Sequence, residues 1–168
     1  MGIHAHKARA PKSARVAVLT VSTSRGIEQD KSGRWIGKYA AKAGHQVVSH
    51  QVVVDDVSAI VGQVRDMLRD SQPDAIIVNG GTGIGPQDVT IEALRPLFRK
   101  ELTAFGALFA QLSFDQIDSA AILSRAAAGI IYQTIVFCLP GSLAACKLAC
   151  RELILPELGH AVGHLRDN

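Results

Sequence analysis

The stretch from Ala75 to Thr90 leaves few folds open to this chain. Ala75 to Val78 is a short apolar, β-branched run behind the turn signal Pro73-Asp74, and it reads as a fully buried strand. Gly80, Gly81, Gly83 and Gly85 follow almost at once. No strand or helix interior accepts that density of glycine, because each one raises the entropy lost on folding. Thr90 reads as the cap of a new helix through Glu92 and Leu94, its hydroxyl accepting from an otherwise unpaired amide. Strand, loop and helix start thus form one unit. It presents bare amides beside the positive end of a helix, which suits phosphate or another anion.

Two better-known loops do not fit. A Walker A loop ends in Gly-Lys-Ser/Thr, whereas Gly85 is followed by Pro86-Gln87. A dinucleotide fingerprint is spaced Gly-x-Gly-x-x-Gly, and Gly81, Gly83 and Gly85 are spaced Gly-x-Gly-x-Gly with no acidic residue ending the next strand. The loop carries its own carboxylate, Asp88. A carboxylate beside phosphate is repulsive unless a divalent cation lies between them, so the pairing points to Mg²⁺ with a nucleotide or a phosphorylated small molecule.

The run Gly80-Gly81-Thr82-Gly83-Ile84-Gly85-Pro86-Gln87-Asp88-Val89-Thr90 resembles the signature loop of the molybdenum-cofactor biosynthesis proteins MogA and MoaB. The resemblance extends from Arg15 to about His160. It includes Thr20-Val21-Ser22 with Arg25 and Asp30, Leu123-Ser124-Arg125 with Gly129, and Leu139-Pro140-Gly141-Ser142. The segment from Pro96 to Phe114 is similar to the MoaB branch in particular. Asn79 departs from the pattern, standing where many relatives have a small hydroxyl residue, and Gly85-Pro86 gives the loop its own shape.

At 168 residues the chain fits one domain able to bury roughly two-thirds of its unfolded surface. Its 48% hydrophobic and 5% aromatic content calls for a core of Val, Ile, Leu and Ala, as in α/β proteins with covered sheets. A net charge of +3 without a basic block interleaved with aromatics gives nucleic-acid binding little support. Cys138, Cys146 and Cys150 are an odd set with no disulfide framework, so the expectation is a reduced, cytoplasmic protein with small buried thiols. Residues 1–13 lack the apolar centre of a signal peptide and read as a flexible basic arm before a single domain at 14–168. No apolar run reaches the length of a membrane span.

In chain order, Arg15 to Val21 reads as the first strand, ending in Ser22-Thr23-Ser24-Arg25-Gly26; that loop either contacts a ligand or bonds its own backbone. Asp30 to Ala43 is helical, with Ser32 a candidate cap and Gly44 closing it. Val47 to Val54 is the second strand, followed by Asp55-Asp56 and a helix from about Ser58 to Asp70. An acidic pair there caps a helix or serves a ligand site. Past the glycine loop Pro96 kinks the helix or opens another, and Leu102 to Phe114 is apolar nearly all round. Such a helix needs cover on both sides, from the core or from another subunit. Arg125, set among small apolar residues, wants a planar anionic partner, either a ligand or an internal carboxylate. Ile130-Ile131 and Thr134 to Leu139 read as a hairpin about Tyr132-Gln133, and Ser142 caps the last major helix. His160 and His164 share a helix face without a third ligand for metal.

Strand and helix alternate throughout, so the expected fold is a three-layer α/β/α sandwich with a mainly parallel sheet, MogA-like in its resemblance. Ligands in such sheets sit beyond the carboxyl ends of strands, and the loops at Ser22, Asp55, Gly80 and Pro140 each follow a strand. The resemblance implies a cleft that binds molybdopterin and, with Mg-ATP, transfers AMP onto its terminal phosphate. Asp55 and Asp88 are expected to be catalytic and to hold Mg²⁺. Substrate contacts are expected from Ser22, Gly80, Gly81, Thr82, Gly83, Ser124, Arg125, Pro140, Gly141 and Ser142, and trimers or hexamers are implied. The rival is an oligomeric, molybdopterin-binding accessory protein of the same pathway that transfers nothing.

Overall fold

The alternation of β-branched runs with amphipathic segments folds as expected, into a six-stranded sheet between two helical layers. The computed structural model describes residues 11–166; the expected arm at 1–13 lies, but for 11–13, outside the described residues. The strands are β1 (Arg15–Val21), β2 (Gln46–Val53), β3 (Ala75–Asn79), β4 (Lys100–Glu101), β5 (Ala127–Ile131) and β6 (Thr134–Leu139), in the order β2-β1-β3-β6-β5-β4. β2 starts and ends one residue earlier than the sequence suggests. β1 pairs in parallel with β2 and β3, and β3 with β6, whereas β5 is antiparallel to β6 and to the two-residue β4. The β5–β6 hairpin turns at Tyr132, whose φ of 54° is left-handed.

The helices are α1 (Lys31–Lys42), α2 (Val57–Asp66), α3 (Thr90–Leu94), α4 (Thr103–Ile117), α5 (Leu143–Ala149) and α6 (Leu155–Arg166). Strand alternation sorts the core into two layers. Val16, Val18, Ile77, Ile135 and Phe137 face Ile36, Phe109, Cys146 and Leu158 of α1, α4, α5 and α6. Ala17, Leu19, Ile76, Val78 and Val136 face Ile60, Val64, Ile91 and Leu94 of α2 and α3. All three cysteines are buried and free, and burial pushes the Cys138 and Cys146 thiols up to about 12, which favours the protonated form.

Helix ends depart from the expectations in informative ways. Asp30, not Ser32, caps α1, accepting from the Gly33 amide at 2.8 Å, while the Ser32 hydroxyl donates to the Gly141 carbonyl at 3.0 Å. Thr90 does not cap α3: it is the helix's first residue, and its hydroxyl donates back to the Gly80 carbonyl at 2.8 Å. Gly44 closes α1 at φ 92° as expected. Of the two expectations for Pro96 the second is nearer: it lies in the first turn of a separate 3₁₀ helix, Arg95–Leu97, as the second residue and not the first, and does not kink α3. Only Phe105, Phe109 and Ser113 of α4 are buried, leaving Leu108, Phe114 and Ile117 about half exposed beside Ile122 at 86% exposure.

Chain order and strand order together place the site. From β1 the chain goes first to β2 on one side and then to β3 on the other, so the loops leaving β1 and β3 part at the switch point. Gly80 lies there at φ 100°, with its amide donating to the Leu139 carbonyl at 3.0 Å, and a Cβ on it would overlap the Val21 carbonyl oxygen. Gly80→Ala combines a left-handed backbone with a steric clash, so it should cost about 2 kcal/mol or more. Urea unfolding monitored by circular dichroism checks this, and a midpoint equal to that of the unsubstituted protein would contradict it.

Candidate active site

Short loops after β1, β2, β3 and β6 leave the same edge of the sheet and enclose a cleft of about 720 Å³, with Ser22, Asp55, Gly80, Asp88, Gly141 and Ser142 in its walls. A smaller cavity of about 220 Å³ adjoins it, lined by Thr82, Gly83, Ser124, Arg125 and Pro140. Gly81, Asp88 and Gly141 line both. Every site residue expected from the sequence therefore borders one cavity or the other.

The acidic pair after β2 divides its work. Asp56 caps α2, accepting from the Ala59 amide at 2.8 Å. Asp55 turns toward the cleft: its Oδ2 accepts from the Thr23 amide at 2.7 Å and the Thr23 hydroxyl at 2.8 Å, and its Oδ1 faces Gly81, 3.1 Å from where a Cβ there would stand. Asp88 commits Oδ2 to the Gly85 amide at 2.8 Å. Each carboxylate keeps one oxygen uncommitted among the described residues. Thr90 staples the loop between them, through its hydroxyl to Gly80 and its amide to the Gly81 carbonyl at 2.9 Å.

Thr82 is 1% exposed, and its Oγ1 has no hydrogen-bond partner among the described residues. Leaving a buried hydroxyl unpaired costs about 1–3 kcal/mol, so a ligand that pairs with it gains by doing so. Ser142 caps α5 as expected, accepting from the Ala145 amide at 3.2 Å. For Arg125 the structure shows an internal partner: its guanidinium meets both oxygens of Glu92, at 2.7 and 3.0 Å, and its Nε donates to the Thr82 and Gly83 carbonyls at 2.9 and 3.1 Å. His160 and His164 do share a helix face, 3.0 Å apart, but among the described residues no three His, Cys, Asp or Glu side chains gather as a metal centre.

Sequence reasoning passed over two features. Lys31 lines the cleft from the first residue of α1. A cation at the positive end of a helix opposes the dipole, and that local conflict was the available signal. Beneath it lies a buried polar chain in which Asn79 Nδ2 donates to Thr20 Oγ1 at 2.7 Å, the Thr20 hydroxyl donates to Asp30, and His50 Nε2 sits 2.7 Å from the same carboxylate. Its members are far apart in sequence. Any Cβ at Gly33 would collide with Asp30. Burial works hardest against ionisation of Asp30, yet bonds from Thr20, the Gly33 amide and His50 together hold its carboxyl below its usual value.

A family profile described as "Probable molybdopterin binding domain" matches residues 17–160. Molybdenum cofactor biosynthesis protein B of Bacillus subtilis (strain 168) is 47% identical over 169 residues, covering 100% of this chain and 99% of the relative. The chain belongs to the molybdenum cofactor biosynthesis protein B family. The protein B of Escherichia coli (strain K12) is 40% identical over 144 residues, covering 86% of this chain and 85% of that one. A crystal structure of a protein B matches with a TM-score of 0.91 at 43% identity, covering 95% of this chain and 100% of that one. The tungsten cofactor synthesizing protein MoaB from Pyrococcus furiosus matches at 0.85 and 37% identity, over 94% and 99% of the two chains. A MogA structure, at 24% identity and a TM-score of 0.77, shows the shared fold. The profile match places a molybdopterin-binding domain at residues 17–160, and the cleft opens at the carboxyl edge of that domain's sheet.

The depressed carboxyl of Asp30 has a consequence for acid stability. Its contribution is fully present above the ordinary value of 3.8 and disappears as pH falls through the lower value of the folded state. The unsubstituted protein should therefore lose stability more steeply than Asp30→Asn as pH drops below about 4. Urea midpoints across that range check this, and parallel curves would contradict it.

Proposed function

We propose that this chain binds molybdopterin in the cleft and, with ATP and Mg²⁺, transfers AMP onto the terminal phosphate of the pterin, acting as a molybdopterin adenylyltransferase. The observation that carries this reading is the facing of Asp55 and Asp88 onto one cleft with the glycine loop between them. A phosphate oxygen of the pterin attacks the α-phosphorus of ATP; a new P–O bond forms, the α–β bridge breaks, and pyrophosphate leaves with the bonding electrons. No side chain has to carry a proton in that exchange. The difficulty is bringing two polyanions together, so catalysis rests on positioning and on neutralising charge.

The residues suit those demands. Gly80 to Gly83 supply backbone at close range, the Thr82 hydroxyl awaits an acceptor, and Lys31 and Arg25 add positive charge to the larger cavity. Ser22, Ser124, Pro140, Gly141 and Ser142 complete the walls, with Ser124 and Arg125 on the side of the smaller cavity. Asp55 and Asp88 each keep one carboxylate oxygen uncommitted among the described residues, and hard oxygen donors of this kind would suit a magnesium ion. Asp55 and Asp88 would hold it, and bound there it supplies the charge that offsets the facing phosphates. Among the described residues no helix is long and apolar enough to cross a membrane, and three buried free thiols agree with work in the cytoplasm.

The half-exposed apolar side chains of α4, with Ile122 beyond it, support a contact between subunits, and the family resemblance implies that the assembly is a trimer or a hexamer. Light scattering should return one of these, and a monomer at all concentrations would contradict it. Asp88→Asn should keep pterin binding while slowing adenylyl transfer about a hundredfold or more. The check is mass analysis of the pterin product alongside pyrophosphate release. Unchanged turnover in Asp88→Asn would overturn the assigned role; pterin binding with no pyrophosphate from the unsubstituted protein would favour the accessory reading.

A further inference from the structure

The glycine loop is gripped from behind. Glu92, in the first turn of α3, is not among the residues lining either cavity of the site, whereas its partner Arg125 lines the smaller one. Both guanidinium NH₂ groups of Arg125 meet the Glu92 carboxylate, a two-point contact that fixes the plane of the guanidinium as a single contact would not. With the plane fixed, Nε is aimed at the Thr82 and Gly83 carbonyls. A trans peptide points its carbonyl and its amide in opposite directions, so holding those two oxygens also sets which way the Gly83 and Ile84 amides face.

We propose that Glu92 is a positioning residue for the reaction: through Arg125 it locks the conformation in which the Gly81 to Ile84 backbone meets a phosphate group of the substrate. This rests on the adenylyl-transfer reading of the same cleft. The bond from Arg125 holds the Glu92 carboxyl below its usual range, so the pair stays charged on both sides through neutral pH. Both partners are partly exposed, at 36% for Arg125 and 50% for Glu92, and pairs of that kind add little to global stability. The effect of Glu92 is therefore local, on the loop.

The loop's own hydrogen bonds report on it. The Gly85 amide bonds to Asp88, the Asp88 amide to the Gly85 carbonyl, and the Thr90 amide to the Gly81 carbonyl. In the full chain without substrates, NMR-resolved hydrogen exchange at those three amides should quicken about fivefold or more in Glu92→Gln, with β1 and β3 amides unchanged. Arg125→Lys, which keeps the charge and loses the fork, should loosen the same amides. The charge swap Glu92→Arg with Arg125→Glu restores an ion pair but offers the carbonyls no donor from position 125, and protection should stay lost. With molybdopterin and Mg-ATP, Glu92→Gln should raise KM for the pterin about tenfold while its melting temperature stays within a few degrees. Unchanged exchange in both single variants, or protection regained in the swap, would overturn the proposal whatever the enzyme does. An unsubstituted protein that forms no adenylylated pterin would overturn the underlying reading and leave the exchange result standing.

Discussion

Close approach of backbone to backbone at the end of β3 is the constraint on which the rest depends. Gly80 lies against the Val21 carbonyl, and a Cβ on Gly141 would stand 3.1 Å from the Gly80 Cα, so the exits of β1, β3 and β6 converge more tightly than side chains would permit. Thr90 then folds the loop back on itself through two bonds to Gly80 and Gly81. Local sequence, strand order and the shape of the cleft are consequences of one another here: a parallel pair at a switch point leaves a crevice, and glycine lets its floor be backbone.

Charge is arranged on that floor by residues from separate parts of the chain. Asp55 arrives from β2 and Asp88 from the loop itself, each with one oxygen held by a nearby amide. Lys31 and Ser32 arrive on a helix start that Asp30 secures, and Ser32 ties that start to Gly141 across the cleft. Asp30 is itself held from below by Thr20 and His50, and Thr20 by Asn79. Asn79 thus reaches the cleft through a buried chain of hydrogen bonds. Its Oδ1 is buried without a partner among the described residues.

Much of the fold was legible because its signals are local. β1 matches the Val-rich run Arg15 to Val21 end to end, and the hairpin at Tyr132-Gln133 follows from two strand-like runs with a short gap. The convergence of the site was legible as well, since strand ends and ligand loops coincide in parallel sheets. What escaped depends on tertiary geometry. Thr90 has the hydroxyl of a cap, yet the Gly80 carbonyl claims it, and Ser32 loses the cap to Asp30 because Gly141 lies within its reach. That Arg125 lies beside Glu92, 33 positions later in the chain, is visible only in three dimensions. The exposure of α4 could be anticipated from its composition, but not which of its faces the domain would cover.

The most direct test of the account is a crystal structure of the protein with molybdopterin, a non-hydrolysable ATP analogue and magnesium. The account predicts both ligands at the carboxyl edge of the sheet, with phosphate groups against Gly80 to Gly83 and Thr82, and metal density between Asp55 and Asp88. Pterin bound elsewhere, or bound in the cleft with both carboxylates turned away from metal and phosphate, would contradict it.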